Sequence, residues 1–264
     1  MPTPSHWLYK YRLRLFKFLF PIKIADQYRV DLPFEKIGSD YGFVAVPTGY
    51  LQADSVVYSV GAGEDIQSDI EMARRFGCVV HILDPTPKAV RHFQTLQANV
   101  QAGLPTRTET GEAYRATPQI MEKLVYHAYA LWDKEEMLQF FEPIDPSHVS
   151  HSITNIQSSG SFIKVQARTL DSLMREWQHA TIDYLKLDIE GAEYRVVNYL
   201  MQQDIPVNIL YLEYHYHKNT PPLINIRMIK TSLEGLFAQG YRVFYQAERR
   251  YFGLIRPIAR PARQ

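Results

Sequence analysis

The sequence has little cysteine, no long hydrophobic run and almost no excess charge, and each absence narrows the class of protein. Cys78 is the single cysteine in 264 residues, which excludes an intrachain disulfide and a cysteine-based zinc site. No stretch reaches the roughly 20 uncharged apolar residues that a membrane-spanning helix needs. A formal net charge of +1 gives no overall attraction to nucleic acid. We therefore expect a cytoplasmic protein of a reducing compartment, without a nucleic-acid partner.

The N-terminal segment is unusual because basic residues interrupt an aromatic and apolar run over residues 6–20. A signal peptide keeps its charges ahead of the apolar core, so secretion is not indicated. Two interpretations stay open. The segment is either a leading helix packed on its own domain, or a peripheral contact with an anionic membrane or a partner subunit. The oligomeric state is left open.

From Val56 onward, short apolar runs alternate with longer amphipathic segments, which is typical of a parallel sheet with crossover helices. The length suits one sizeable domain. We predict an N-terminal basic and aromatic helical extension at 1–46 and one α/β domain at 47–264. The predicted helices cover 88–99, 190–202 and 225–238, and the predicted strands cover 56–60, 79–83, 125–130, 182–187, 209–214, 241–245 and 251–255.

The last two predicted strands are separated by only five residues, so they must form an antiparallel hairpin, since a parallel pair needs a long crossover. The prediction is a doubly wound, seven-stranded, mostly parallel sheet that ends in this hairpin. Such a sheet is typical of class I methyltransferases that use S-adenosylmethionine (SAM), and it argues against a plain dinucleotide-binding fold. Two stretches, 102–121 and 141–161, fall outside the alternation, and we expect the second to help cover a substrate.

A glycine turn follows the first predicted strand of the domain. Gly61 and Gly63 let the backbone approach a ligand closely at the carboxyl edge of the sheet. The dinucleotide fingerprint requires a third glycine at Ile66, which is absent. SAM carries an ammonium and a sulfonium, so Glu64 and Asp65 near the turn are chemically suitable neighbours, although acids at a helix start also favour the helix dipole.

Three further residues are predicted to contact the adenosine part of the cofactor. Asp84 ends the next strand about twenty residues after the glycines, where an acid commonly accepts hydrogen bonds from the ribose hydroxyls. Its alternative role is an N-terminal helix cap. Trp132 and Asp133 follow the third strand, where they could flank the adenine ring, although a tryptophan in a loop is also ordinary core material.

Acidic residues and histidines follow two other strands. Lys186 and Asp188 alternate onto one face, and a buried lysine needs a partner such as Asp188 or Glu213. Glu213, His215 and His217 recur at every second residue and point to one side. Three interpretations stay open. In the first, a histidine acts as general base on a substrate hydroxyl. In the second, a divalent cation is bound by Asp188, Glu213 and a histidine, and in the third the groups form a structural network.

These residues together resemble the FkbM family of SAM-dependent methyltransferases. The most specific match is Leu185-Lys186-Leu187-Asp188-Ile189-Glu190-Gly191-Ala192-Glu193, supported by Thr169-Leu170-Asp171-Ser172-Leu173, the Asp84-Pro85-Thr86-Pro87 turn and the glycine turn. The resemblance covers about 47–255. It implies SAM as cofactor, bound in part by Pro85, and methylation of a hydroxyl on a sugar, glycolipid or natural product.

The sequence departs from the common methyltransferase pattern at two positions. Ser59 stands where an acid often precedes the first glycine, and Asp65 stands where a third glycine would be. Two other functions therefore stay open, namely a non-catalytic interaction module with a methyltransferase fold and a nicotinamide-dependent oxidoreductase.

Overall fold

The computed structural model describes residues 22–40, 42–108, 111–141, 162–216 and 222–256. Six α-helices lie in these ranges: α1 (Gln67–Phe76), α2 (Pro87–Gln101), α3 (Pro118–Met121), α4 (Leu170–Glu176), α5 (Glu193–Gln202) and α6 (Pro222–Ala238). The strands are β1 (Phe34–Ile37), β2 (Val44–Pro47), β3 (Val56–Val60), β4 (Val79–Leu83), β5 (Leu124–His127), β6 (Ala130–Leu131), β7 (Met137–Phe141), β8 (Phe162–Arg168), β9 (Ile182–Leu187), β10 (Val207–Glu213), β11 (Arg242–Ala247) and β12 (Tyr251–Ile255).

The main sheet has the strand order β11-β12-β10-β9-β3-β4-β5. Neighbouring strands from β10 to β5 are parallel, whereas β12 runs antiparallel to both β10 and β11. The predictions of a mixed α/β fold, a largely parallel sheet and a C-terminal antiparallel hairpin are confirmed. The hairpin inserts its second strand, β12, beside β10, so that Tyr251 pairs with Glu213.

The core forms two apolar clusters that contain alternate residues of the same strands. Tyr58 and Leu185 belong to one cluster, and their chain neighbours Val57 and Tyr184 belong to the other. Successive side chains of a strand point to opposite faces, so the clusters lie on opposite sides of the sheet. Residues of α4, α5 and α6 join the first cluster, and residues of α1 and α2 join the second. Burial on both faces explains why the strands read as apolar runs.

The helix bounds correct one prediction at the site. The predicted helix 190–202 begins only at Glu193, because Glu190 and Gly191 have positive φ angles of 53° and 102°. These two residues form a turn that connects the end of β9 to the start of α5.

The described part of the predicted helical extension contains strands instead of a long helix. Residues 22–46 contain a short 3-10 turn, β1 and most of β2, which runs on across the expected boundary at residue 47. Ile37 and Val44 are fully buried in the second core cluster. This part of the extension therefore packs on the α/β core.

Three predictions concern residues outside the described ranges: the segment 6–20, nearly all of the excursion 141–161, and His217. Among the described residues, no helix has the length and apolar character needed to cross a membrane.

Candidate active site

A cavity of about 400 Å³ opens at the carboxyl ends of β3, β4, β9 and β10, within the range usual for small-molecule sites. Loops that follow parallel strands meet at this edge, which is where ligands bind in open α/β sheets. The predicted site residues that line the cavity are Gly61, Gly63, Glu64, Asp65, Asp84, Pro85, Lys186, Asp188, Glu213 and His215.

The two glycines of the turn after β3 are required for different reasons. Gly61 has a φ of +85°, and a Cβ built on it would meet the carbonyl oxygen of Asp188 at 1.7 Å. This glycine therefore allows the turn to pack against the end of β9. Gly63 has a φ of +56°, and a Cβ there would have no neighbour within 4 Å. The second glycine faces open space at the cavity.

Asp84 is 6% exposed, and its carboxylate is fully engaged within the protein. Oδ2 accepts hydrogen bonds from the backbone N–H groups of Ala62 and Gly63 at 3.0 and 2.9 Å. Oδ1 accepts from the backbone N–H and the hydroxyl of Thr86, the residue before α2, at 2.8 and 2.7 Å. A carboxylate offers about four acceptor positions, and Asp84 uses four. Asp84 thus fixes the glycine turn and the start of α2, and a ribose would have to share these oxygens.

The two acids after the glycines have different surroundings. Asp65 accepts hydrogen bonds from Ser39 Oγ at 2.5 Å and from the backbone N–H of Gln67 at 3.0 Å. It therefore ties the loop after β1 to the start of α1. Glu64 also lines the cavity, so its side chain is available to a cationic group there.

Trp132 and Asp133 do not line this cavity. Trp132 is buried in a small cluster with residues of β7 and β8, and the guanidinium of Arg195 lies 4.7 Å from its ring centre. Asp133 pairs with Arg195 at 3.1 Å. Leu131, one residue earlier, lines the cavity. Contact of Trp132 and Asp133 with an adenine stays a prediction that this arrangement does not favour.

Lys186 connects the glycine turn to the end of β9. Its Nζ donates a hydrogen bond to the carbonyl oxygen of Gly61 at 2.8 Å and lies 3.6 Å from Asp188 Oδ2. Burial alone would lower the pKa of this lysine, but the negative charges of Asp188 and Asp69 outweigh burial and raise it. The expected partnership of Lys186 and Asp188 is present in the structure.

His215 is held by Glu193, the first residue of α5. Glu193 is 0% exposed and accepts hydrogen bonds from the backbone N–H groups of Ile189 and Gly191 and from His215 Nδ1, each at 2.9 Å. Burial alone would lower the pKa of His215. The hydrogen bond and charge of Glu193, together with the charge of Asp188, raise the pKa to about 10. His215 is therefore an imidazolium at neutral pH.

Nε2 of His215 faces three carboxylates. It lies 3.9 Å from Asp188, 3.9 Å from Glu190 and 3.7 Å from Glu213. We call Asp188, Glu190, Glu193 and Glu213 the carboxylate cluster. Ligand atoms of Asp188, Glu213 and His215 all lie within 4.8 Å of one another. Oxygen and imidazole ligands at this spacing could hold a divalent cation.

Glu213 is the carboxylate of the cluster that pairs with Arg250. Burial and the charge of Asp188 raise its pKa, although Arg250 lies 3.0 Å away and opposes the shift. A carboxylate with a raised pKa beside a cavity can accept a proton at neutral pH.

Sequence reasoning missed three residues that shape the site. Glu193 had no assigned role, and its contact with His215 depends on the turn at Glu190, which the sequence pattern assigned to a helix. Arg250 reaches Glu213 because β12 pairs with β10, so only the inserted position of that strand could have revealed it. Tyr129 lines the cavity after β5, as an aromatic residue at a strand end could have indicated.

Comparison with known proteins agrees with this geometry. A family model described as the methyltransferase FkbM domain matches residues 56–243, more than half of the chain. The match runs from β3 to the start of β11 and includes the glycine turn, the carboxylate cluster and His215. No curated protein matches the sequence.

Proposed function

The chain belongs to the FkbM methyltransferase family, and we propose that it transfers a methyl group from SAM to a hydroxyl oxygen of a sugar, glycolipid or natural product. The observation that carries this proposal is one cavity that joins the glycine turn to the carboxylate cluster. The strand order of the main sheet supports the doubly wound class I methyltransferase fold. Bound SAM would supply an electrophilic methyl group.

The residues around the glycine turn fit such a cofactor. The open space over Gly63 would admit a ligand against the backbone, and Glu64 and Asp188 offer carboxylates to its positive charges. Leu83 and Leu131 provide apolar walls, which suit an adenine ring. Asp84 would hold the turn in shape and share its oxygens with the ribose.

Glu213 is the proposed general base, because its pKa is raised and its side chain borders the cavity. The acceptor hydroxyl loses its proton as the oxygen gains a methyl group, and Glu213 would take that proton. His215 is already protonated at neutral pH, since its pKa is about 10. We therefore propose that His215 is not the base but a cation that orients the carboxylates and stabilises negative charge on the acceptor oxygen. His217, the other candidate histidine, lies outside the described residues.

A divalent cation at Asp188, Glu213 and His215 is the second candidate mechanism, favoured by the spacing of their ligand atoms. Such an ion would lower the pKa of the acceptor hydroxyl directly. The metal mechanism predicts that removal of divalent ions with EDTA abolishes transfer and that added Mg²⁺ or Mn²⁺ restores it. Activity that is unchanged by chelation would eliminate this mechanism.

The first test is calorimetry with SAM and its demethylated product, S-adenosylhomocysteine (SAH), followed by transfer of radiolabelled methyl to glycans and small molecules of an extract. We expect binding by the wild type and a loss of transfer of about 100-fold or more in Asp188→Asn. Asp204→Asn, on an exposed side chain far from the cavity, is the matched control and should keep both properties.

Three outcomes would contradict the proposal. Absence of binding at about 1 mM SAM, the weak end of useful affinity, would remove the cofactor. Full biological function in Asp188→Asn would favour an interaction module. Binding of NADH without binding of SAM would favour an oxidoreductase.

A further inference from the structure

Asp69 is a buried acid that has no role in the methyl transfer proposed above. It lies in the first turn of α1 and is 1% exposed. Its Oδ2 atom has no hydrogen-bond partner among the described residues. An ionised carboxylate in such a place costs several kcal/mol unless a positive charge compensates for it. The helix dipole favours an acid at this end of α1, but it does not explain why the side chain points into the protein.

The compensating charge is Lys186. Burial raises the pKa of Asp69, and Lys186 is the strongest influence that lowers it. In return, Asp69 is second only to Asp188 among the charges that raise the pKa of Lys186. Lys186 thus interacts with two sets of negative charge: the buried Asp69, and Asp188, Glu213 and Asp65, which line the cavity.

Of the two strands that flank Lys186, β10 carries the charged Glu213, whereas β3 places the uncharged Ser59 beside the lysine. Ser59 of β3 is the register partner of Lys186 on β9, so the two side chains share one face of the sheet. This face is covered by α1, and Ser59 neighbours Asp69. Of the four carboxylates whose charges raise the pKa of Lys186, namely Asp188, Asp69, Glu213 and Asp65, Asp69 is the one that does not line the cavity.

The charge of Lys186 affects which ligands the cavity can bind, because Lys186 lines it. A lysine at the floor of a cavity repels a cation, yet the hydrogen bond from Lys186 to Gly61 is needed to hold the turn. A negative charge behind the lysine cancels the repulsion and leaves Asp188 and Glu213 to attract positive charge. We propose that Asp69 neutralises Lys186 from the buried side and so makes the cavity prefer a cationic ligand, the sulfonium of SAM, over the neutral thioether of SAH. Asp69 is thus a positioning residue, and its role rests on the proposed function.

The test is the ratio of the dissociation constants for SAM and SAH, measured by calorimetry with the full chain. The two ligands differ by one methyl group and one positive charge. In Asp69→Asn we expect SAM to weaken about fivefold to tenfold more than SAH, since one compensating charge is lost at moderate effective dielectric. A merely structural role would weaken both ligands equally.

Two further variants make the test specific. Glu71→Gln changes a buried acid on the same helix whose ion-pair partners, within the described part of the chain, are Arg74 and Arg75, so the ratio should stay at the wild-type value. The exchange Ser59→Asp with Asp69→Ser keeps the same two side chains in the same space and returns the charge to the register neighbour of Lys186. The exchange should restore the wild-type ratio.

The outcomes separate this proposal from the proposed function. Failure of the wild type to bind SAM would overturn both. Binding by the wild type with an unchanged ratio in Asp69→Asn would overturn only the role of Asp69. Should Asp69→Asn fail to fold, the pair Ser59→Asn with Asp69→Ser, which fills the same space as the exchange variant but lacks its charge, replaces it. A weaker preference for SAM over SAH in this uncharged pair than in the exchange variant supports the proposal, whereas equal preferences overturn it.

Discussion

Two regions of the molecule hold partly buried histidines in different charge states. At the carboxyl edge of the sheet, His215 faces the carboxylate cluster, and its pKa is raised to about 10. Farther along the sheet, His81 of β4 and His127 of β5 lie in a second group, which we call the histidine cluster and which also contains Tyr58, Trp177 and His179. There, burial and the neighbouring histidines lower the pKa of His81 to about 4.

The histidine cluster is built from rings. The indole of Trp177 stacks on His81 and His127 with ring centres 4.6 and 4.2 Å apart. Nδ1 of His81 lies 3.2 Å from Nε2 of His127, so the N–H group of one ring donates a hydrogen bond to the bare nitrogen of the other. Burial is common to both regions. The chemistry of the nearest neighbours, carboxylates in one case and rings in the other, decides whether burial produces a cation or a neutral ring.

The largest expected effect on stability comes from Glu193, the carboxylate that accepts a hydrogen bond from His215. Replacing Glu193 by glutamine removes the charge opposite His215 and disturbs the hydrogen bonds from the Ile189 and Gly191 backbone. Breaking one partner of a buried ion pair is strongly destabilising, so we expect the free energy of unfolding to fall by about 4 kcal/mol. Chemical denaturation monitored by circular dichroism measures this change.

Glu176→Gln is the control, since the side chain of Glu176 is 46% exposed in its pair with Arg168. Exposed pairs contribute little, so this variant should lose less than about 1 kcal/mol. An equal decrease in the free energy of unfolding in the two variants would show that the buried Glu193 stabilises the protein no more than an exposed glutamate. The charge of Glu193 would then not explain the difference between the two regions.

The second expected effect is alkaline destabilisation from His215. Its pKa is 6.5 without the protein's influence and about 10 in the folded state, so the folded state holds the proton more tightly. The contribution of this proton to the free energy of unfolding is fully present below about pH 6.5 and is lost as the pH rises towards 10. Between pH 7 and pH 9.5 we expect the wild type to lose about 3 kcal/mol more than His215→Gln. Parallel stability curves for the two proteins over this range would disprove a charged His215.

The sequence predicted the strands of both regions well and the histidine environments poorly. Strands β3, β4, β9 and β12 match the predicted bounds, because apolar runs bounded by turn residues define buried strands locally. The identity of a neighbour across the sheet depends on strand order instead. His127 approaches His81 because β5 lies beside β4, and Asp188 approaches His215 because β9 lies beside β10.

The candidate site divides in the same way. Gly61, Asp84 and Asp188 were found because strand-end spacing is a local signal, and all three line the cavity. The four hydrogen bonds of Asp84 could not be predicted, because they depend on how the glycine turn closes on the next strand. Asp69 gave no signal either, since an acid in a first helical turn is usually solvated.

The smallest expected effect tests the neutral region at acid pH. The pKa of His81 falls from 6.5 to about 4 on folding, so the unfolded chain takes up the proton first. His81 should therefore not reduce the free energy of unfolding above about pH 6.5, and it should reduce it progressively as the pH falls towards 4. His81→Phe keeps a ring against Trp177 but cannot be protonated. At pH 4.5, relative to pH 7, it should lose about 2 kcal/mol less than the wild type. His215→Gln is the matched control, because it should flatten the alkaline limb and leave the acid limb unchanged. If both variants flattened the same limb, the two regions would share one charge state, and burial rather than neighbour chemistry would govern these histidines.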